Sequence, residues 1–379
     1  MTQSPGVIMT VLSFLLVIGP LVFIHELGHY FAGRACGVKA DAFSIGFGRE
    51  ILGWTDKRGT RWKVGWMPFG GYVKFAGDMN PASAPTDDWL MLPPEERAKT
   101  FQSKKLWQRF IIVLAGPMAN FLFAITVFAA VFSFYGEPRT PAVVSHVLPG
   151  SAAEAAGIRP GDRITMIAGQ GIQRFEDIAD IVSLRPGETL RMDVYRGPTQ
   201  VHLKVTPGVR EEKDRFGNVF RIGMLGISSA ERVVVPLQPH EVLTAAVGQT
   251  VSSVRMMVDT LVQVITGRRA ASELGGPLRI AQFSGQVASI GWFEVVMFMT
   301  MISINLGFIN LLPVPLLDGG HLFFYAIEAV RRRPLTPATQ EWAFRSGLAL
   351  LLTLMVFVTM NDLGSFGVWQ RLAGLIGRS

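Results

Sequence analysis

His25-Glu26-Leu27-Gly28-His29 closes an uncharged run that covers residues 6–24 of the 379-residue chain. Residues four apart on a helix share one face, so the two histidines can bind one metal ion together. Glu26 follows the first histidine and can reach a water molecule beside such an ion as a general base. Ionisable groups at membrane depth are costly and usually functional, which favours a metal site over a structural histidine pair.

Three further apolar stretches follow, at residues 110–135, 295–317 and 346–361. A helix crosses a bilayer with about 20 apolar residues, so the first three runs are long enough and the fourth needs its flanks. The first run has no basic residue before it and no cleavage site after it, which argues against a signal peptide. The sequence therefore predicts a polytopic α-helical membrane protein with about four transmembrane helices. Its charged fraction of 17% is low for a soluble chain, where about 25% is usual.

The positive charge is concentrated in one loop. Lys and Arg outnumber Asp and Glu by 13 to 8 in residues 34–109, whereas residues 136–294 hold 17 and 16. Because cytoplasmic loops carry the positive excess, residues 34–109 are predicted to be cytoplasmic, with the N-terminus and residues 136–294 outside. The net charge of +7 then reflects orientation, and no nucleic-acid partner is expected. Cys36 is the one cysteine, which excludes an intrachain disulfide.

Residues 136–208 are predicted to form a soluble α+β domain, because short β-rich runs alternate with Gly and Pro turns around one helix. Residues 149–164 read PGSAAEAAGIRPGDRI and resemble the PDZ domains of bacterial envelope proteases. PDZ domains bind a peptide as an added strand, so a peptide C-terminus is the expected ligand, and a β-rich spacer is the alternative. A polar hairpin turning near residues 217–218 is expected next. Residues 240–265 form an amphipathic helix that lies on the outer membrane surface or packs on the protein.

A third metal ligand is needed, because catalytic zinc usually has three protein ligands and a water. The acids near apolar segments are Glu294, Asp318, Glu328 and Asp362. Asp318 is favoured because Pro313 and Pro315 break the helix just before it, and broken backbone at membrane depth lines a wet cavity. His321 is a competing ligand on its chemistry alone.

Two motifs in this order resemble the site-2 protease family of intramembrane zinc proteases, most closely its bacterial sigma-E-regulating branch. They are HELGH in the first span and NLLPVPLLDGG at residues 310–320, and the resemblance covers essentially the whole chain. The resemblance implies Zn²⁺ bound by His25, His29 and Asp318, with Glu26 as the catalytic base. It also implies that Asn310, and similarly Asn305, holds the substrate or the developing oxyanion. Contacts between helices are the alternative role for these two amides.

Residues 43–48 and 62–75 are strand-like and aromatic, with Gly70-Gly71 as a turn. In the family, such a segment forms a membrane-associated β-hairpin beside the active site. Its edge can pair with an unwound substrate, whose peptide bonds are hidden while it remains a helix. An ordinary cytosolic hairpin is the alternative. The family pattern with two PDZ domains is not met, since only one such signature is present.

The predicted segments follow the chain in seven steps. They are a first transmembrane helix with the metal motif (1–33), a cytoplasmic loop with the membrane-associated β-hairpin (34–109), a second transmembrane helix (110–135), a periplasmic PDZ domain (136–208), a hairpin with the amphipathic helix (209–286), a third transmembrane helix (287–330), and a fourth with a tail (331–379).

The resemblance implies an endopeptidase of the bacterial inner membrane with its metal site near the cytoplasmic side. Its expected partners are membrane lipid and a single-pass membrane protein, such as an anti-sigma factor. That protein would be cut within or near its transmembrane segment after a prior site-1 cut, in regulated intramembrane proteolysis. A non-catalytic PDZ membrane scaffold with a degenerate metal site is the main alternative. A metal transporter would instead place acids and histidines along several spans.

Overall fold

The computed structural model describes residues 6–77, 92–172, 174–183, 185–213, 219–229, 233–266 and 276–365. The helices in these ranges are α1 (Val7–Ala35), α2 (Pro94–Arg97), α3 (Leu106–Tyr135), α4 (Ala152–Ala155), α5 (Phe175–Ser183), α6 (Pro239–Ile265), α7 (Pro277–Ile290), α8 (Trp292–Asn310), α9 (Asp318–Arg331) and α10 (Pro337–Ser365). The strands are β1 (Ala40–Thr55), β2 (Arg61–Phe75), β3 (Glu137–Arg139), β4 (Val144–Val147), β5 (Arg163–Ile167), β6 (Gln170–Gly171), β7 (Leu190–Arg196), β8 (Thr199–Val205), β9 (Gly208–Lys213), β10 (Val219–Met224), β11 (Ile227–Ser229) and β12 (Val233–Val235).

Four of the described helices are long and apolar enough to cross a membrane, namely α1, α3, α8 and most of α10. Their number agrees with the four spans expected from hydropathy. Proline is tolerated inside two of them, at Pro20 in α1 and Pro117 in α3. In a membrane the freed backbone groups can be satisfied by neighbouring helices and side chains.

The chain divides into two compact units, and the first contains residues 1–128, 247–258 and 271–379. Within it, Val17 and Leu21 of α1 pack with Val295 and Met299 of α8. A second cluster joins Tyr30 at the end of α1 to aromatic residues of β1 and β2 and to Ile112 of α3. The helix α7 packs along α1 with Ser284 and Gly285 buried.

Strands β1 and β2 are long and sharply bent. Residues 42–45 of β1 have partners in both 61–64 and 71–74 of β2, and residues 52–55 pair with 61–64 again. Gly46, Gly48 and Gly70 occupy the bends with φ of +83°, +83° and +88°, a region that glycine adopts without steric cost. Residues 71–75 are thereby left at an edge, since among the described residues no strand pairs with their other side.

The backbone is not helical between α8 and α9. Residues 311–317 carry Pro313 and Pro315, and Leu316 has a φ of +83°, which costs about 1–2 kcal/mol for a residue with a side chain. Gly319 and Gly320 begin α9 so close to this segment that a Cβ at either would overlap backbone atoms of residues 311–315. The two glycines therefore allow α9 to start directly against the break, with Asp318 as its first residue.

The second unit contains residues 129–246 and 259–270. Strands β6, β5, β7 and β8 form one sheet in that order, and α5 contributes to the same core. Ile164, Ile167, Met192 and Val194 are fully buried there. Shorter pairs add β4 to β11, β3 to β12, and β9 to β10. The expected β-rich runs and single long helix correspond to β4, β5, β7, β8 and α5, and the turn expected near residues 217–218 lies outside the described residues.

The expected segment boundaries at 286/287 and 109/110 fall inside helices. The boundary at 286/287 falls inside α7, which runs from Pro277 to Ile290 and was not expected as a separate helix. Gly276 and Gly291 delimit it, and its mixed polarity hides it from a hydropathy scan. The boundary at 109/110 is late, because the apolar Leu106 and Trp107 already belong to α3.

Candidate metal centre

His25 and His29 lie one turn apart on α1, and both are at least partly shielded from solvent. Their Nε2 atoms are 3.2 Å apart, and the rings meet edge to face with their centroids 4.9 Å apart. The run of uncharged residues before them favours a membrane-spanning helix. On that helix, the i, i+4 spacing directs both rings to one side. The pair therefore presents two nitrogen ligands to one point.

Asp318 completes the group from the start of α9. Its Oδ2 atom is 3.1 Å from Nε2 of His25 and 3.4 Å from Nε2 of His29. Ligands bound tetrahedrally to zinc at about 2.0–2.2 Å lie roughly 3.3 Å from one another, close to these separations. Oδ2 is buried and makes no directed hydrogen bond, as suits an oxygen that binds a cation. Among the described residues, His25, His29 and Asp318 are the group that could hold a metal ion.

The second nitrogen of each imidazole has a partner on α3. Nδ1 of His29 lies 2.9 Å from the carbonyl oxygen of Ile112. A carbonyl only accepts, so Nδ1 carries the hydrogen and Nε2 keeps its lone pair for a metal. Nδ1 of His25 lies 3.1 Å from the side-chain Nδ2 of Asn120, which is fully buried.

Close backbone packing leaves no room for side chains around the histidines. A Cβ on Gly116 of α3 would overlap the imidazole of His29, and a Cβ on Gly28 would overlap the carbonyl of Ala115. Glycine at both positions therefore lets α3 approach α1 closely enough to contact the histidine rings.

Glu26 is buried on the side of α1 that faces β2. A Cβ on Gly71 would lie 3.0 Å from Cγ of Glu26, so β2 passes directly beside this side chain. The strand therefore holds this carboxylate beside the two histidines, where it can act as a base without being a ligand.

A cavity of 530 Å³ opens on this group. The predicted site residues that line it are His25, Glu26, His29, Gly70, Gly71, Asn310 and Asp318. Residues 22, 47, 72, 73 and 306 are among the others, and Leu316 and Leu317 add irregular backbone to walls of sheet and helix. Irregular backbone at membrane depth is tolerated where it lines such a cavity.

Asn305, a predicted substrate-binding residue, and His321, the competing ligand, are placed as follows. Asn305 is half-buried and is not among the residues that line the cavity, because on α8 it lies about 140° around the axis from Asn310. His321 lines the cavity, but it is outside the group of converging ligand atoms, and its ring packs 5.3 Å from that of Phe344.

Sequence reasoning did not assign the groups that orient the imidazoles, namely the carbonyl of Ile112, the amide of Asn120, and Ser303, whose hydroxyl donates to the backbone carbonyl of Asn120 at 3.0 Å. The available signal was the string Gly116-Pro117-Met118-Ala119-Asn120, which places an amide and a close-packing glycine in an apolar helix.

A shielded His–His–Asp group, held on and beside helices long enough to cross a membrane, is typical of a membrane-bound metallopeptidase. The model of peptidase family M50 matches residues 13–354 of the chain. A protein of Agrobacterium fabrum whose name describes a zinc metalloprotease is 45% identical over 360 residues, which cover 94% of this chain and 96% of the relative. Metalloprotease MmpA of Caulobacter vibrioides is 37% identical over 98% of this chain and 99% of its own.

The chain belongs to peptidase family M50, the site-2 protease family, and it is a zinc metalloprotease of the membrane. Among solved structures, the chain is also similar to the PDZ domain of an SdrC-like protein from Listeria monocytogenes. That similarity has 18% identity and a TM-score of 0.19, and it covers 24% of this chain and 88% of that one.

Proposed function

We propose that the protein is an intramembrane endopeptidase that cuts single-pass membrane proteins within or near their transmembrane segments. The observation that carries the proposal is the position of the ligand group. His25 and His29 lie on a helix of membrane-spanning length, and the cavity beside them is walled by α8 and by an open strand edge. Because this cavity adjoins a helix of membrane-spanning length, the substrate segment that enters it in an extended form is proposed to come from the membrane.

The ligands would be His25, His29 and Asp318, whose nitrogen and oxygen atoms are separated by distances that suit zinc. When bound, zinc supplies a Lewis acid that polarises the scissile carbonyl and makes water more acidic. Glu26 accepts the proton of the attacking water and returns it to the leaving nitrogen. Its burial and the close approach of Gly71 hold it beside the histidines for both transfers.

Asn310 is the proposed donor to the developing oxyanion. It ends α8 and lines the cavity with Leu306, so its amide can point at a substrate carbonyl in the cavity. A preorganised donor at this point stabilises charge that appears only in the transition state.

Residues 71–75 are the proposed docking strand. They pair with residues 42–45 on one side, and Gly70 and Gly71 line the cavity. An extended substrate can add to the other side as a further strand, which satisfies the peptide groups that it exposes on unwinding. The absence of a side chain at Gly71 lets that backbone come close to Glu26.

The unit of residues 129–246 is proposed to contain a periplasmic PDZ domain that either excludes bulky external domains or binds the new C-terminus left by a site-1 cut. Such an order of cuts is regulated intramembrane proteolysis, and an anti-sigma factor is a substrate of the expected kind. The positive excess of residues 34–109 supports a bacterial inner-membrane orientation with the metal centre near the cytoplasm.

Membrane lipid is the proposed partner of α6. Leu243, Val247 and Val251 are exposed on one stripe of this helix, and Val258, Val262 and Ile265 continue it. An exposed apolar stripe flanked by Glu241, Arg255 and Asp259 suits a helix that lies in the headgroup region.

Purified protein in vesicles, mixed with a single-pass substrate whose external part has been shortened, tests the proposal. Wild type and Glu341→Gln, a change at an exposed residue, should both cut the substrate, and a chelator should stop the cut. A protein that binds the substrate without cutting it, and that holds no zinc, would instead be the non-catalytic scaffold.

A further inference from the structure

The two histidines of the centre are oriented by different kinds of group. His29 is opposed by a backbone carbonyl, which fixes its tautomer without help from any side chain. His25 is opposed by the side chain of Asn120, 95 residues away in the chain and on another helix. A side-chain partner can be changed by mutation, so the orientation of His25 can be tested separately from that of His29.

The amide of Asn120 has one atom beside His25 and one without a partner. Nδ2 lies 3.1 Å from Nδ1 of His25, while Oδ1 is buried with no hydrogen bond among the described residues. A half-turn of the amide exchanges these two atoms. Oδ1 would then accept from Nδ1 of His25, and Nδ2 would take the position that has no hydrogen-bond partner among the described residues.

The chemistry of metal binding requires that exchange. Nε2 of His25 can give its lone pair to a cation only if Nδ1 carries the hydrogen, and that hydrogen needs an acceptor. Nδ2 of an amide has no lone pair to offer, whereas Oδ1 has two. Of the two orientations, only the one with Oδ1 beside His25 is compatible with the ligand role of His25.

Contacts with α8 hold residue 120 in place, on the side away from His25. The Ser303 hydroxyl of α8 donates to its backbone carbonyl, and Gly307 brings α8 within contact distance of Pro117. Both Asn120 and Ser303 are fully buried, so the amide sits where three helices meet. Such rigid support is what an orienting group needs.

An amide also leaves the charge of the centre unchanged. With two neutral imidazoles, the carboxylates of Glu26 and Asp318 would balance the two charges of a zinc ion. A third carboxylate at residue 120 would bind the imidazole hydrogen more strongly but would add a buried negative charge.

We propose that Asn120 is a positioning residue for zinc: its Oδ1 accepts the Nδ1 hydrogen of His25 and so aims Nε2 at the ion. This inference rests on the proposed ligand set. Asn120 does not bind the metal, and it acts through His25 alone.

The test is zinc affinity, measured by competition with a chelator on the full-length protein in detergent. Asn120→Leu keeps the volume but cannot accept, and it should lower zinc affinity about 10–100-fold. Asn120→Asp can only accept, and it should bind zinc as tightly as wild type or more tightly. Thr300→Val is the matched control: among the described residues this buried hydroxyl donates only to the carbonyl of Val296 within α8, so its loss should leave zinc affinity unchanged.

Wild-type affinity in Asn120→Leu, or a tenfold loss in a folded Asn120→Asp, would overturn the inference. If the leucine variant does not fold, a tenfold loss in the aspartate variant still overturns the inference. His25→Ala separates the two levels of the proposal. If it retains zinc, the ligand set and the role of Asn120 both fail, whereas if it loses zinc and Asn120→Leu does not, only the role of Asn120 fails.

Discussion

Nε2 of His25 lies 3.1 Å from Oδ2 of Asp318, although the two residues come from opposite ends of the chain. The first is set by the helical spacing of α1, and the second by the break that ends α8 and starts α9. Each alone is an ordinary feature of an apolar helix or a loop. Together they form the metal centre, so zinc binding depends on both α1 and the start of α9.

The ligand set predicts one zinc ion per chain, lost when any ligand is removed. His25→Ala, His29→Ala and Asp318→Ala should each abolish stoichiometric zinc in the purified protein, measured by mass spectrometry of the metal. His321→Ala should retain it, because that ring packs toward Phe344 and lies outside the ligand group. Loss of zinc in the His321 variant would make it a ligand after all.

Close packing of α3 on His29 predicts that Gly116→Ala damages the centre. A Cβ at residue 116 would overlap the imidazole, so the ring or the helix must move, and zinc affinity should fall at least tenfold. Gly248→Ala is the control, since nothing lies within 4 Å of a Cβ there. That change should leave zinc binding alone and add about 0.5–1 kcal/mol of stability within α6. Equal zinc affinity in the two variants would argue against the packing described.

A buried ion pair in the second unit predicts acid sensitivity. Asp162 is fully buried, and although burial raises its pKa, hydrogen bonds from the Arg196 guanidinium and the backbone N–H of Arg159 hold the pKa below its usual value. A lowered carboxyl pKa contributes stability that is full above the unfolded value of about 3.9 and is lost as pH falls through the folded value.

Hydrogen exchange of β5 and β7 in the full-length protein measures this effect. Protection in wild type should decline as pH falls below about 4. Asp162→Asn should start with lower protection at neutral pH and show a weaker decline. A wild-type profile that is flat in this range would show that the pair contributes nothing.

The carboxylate of Asp362 on α10 caps the start of α7. Its two oxygens accept from the backbone N–H groups of Gly276 and Arg279, each at 3.1 Å, at the start of α7. Asp362→Ala leaves buried donors without this partner, so it should cost about 1–3 kcal/mol and lower the apparent Tm by several degrees. Glu341→Gln removes an exposed pair with Arg345 and should change stability by less than about 0.5 kcal/mol. A similar Tm for both variants would contradict the cap.

The sequence predicts those parts of the site that depend on local spacing. His25 and His29 follow from one helical turn, and Asp318 is favoured because Pro313 and Pro315 break the backbone before it. Asn305 and Asn310 could not be separated, because which side of α8 faces the centre is set by its packing against α1 and α3. The role of Asn120 was equally out of reach, since its partner His25 lies on another helix. The helix α7 was missed because its mixed polarity matches neither a span nor a simple amphipathic pattern.

Glu26 is proposed to act as the base in the hydrolysis of a peptide bond within a membrane segment. The most direct measurement is mass spectrometry of the fragments of a reconstituted single-pass substrate, cut in water enriched in ¹⁸O. Wild type should produce a fragment whose new C-terminus lies in or beside the apolar segment and carries ¹⁸O. Glu26→Gln should bind one zinc ion and produce no such fragment. The same labelled fragment from a zinc-loaded Glu26→Gln protein would contradict the account.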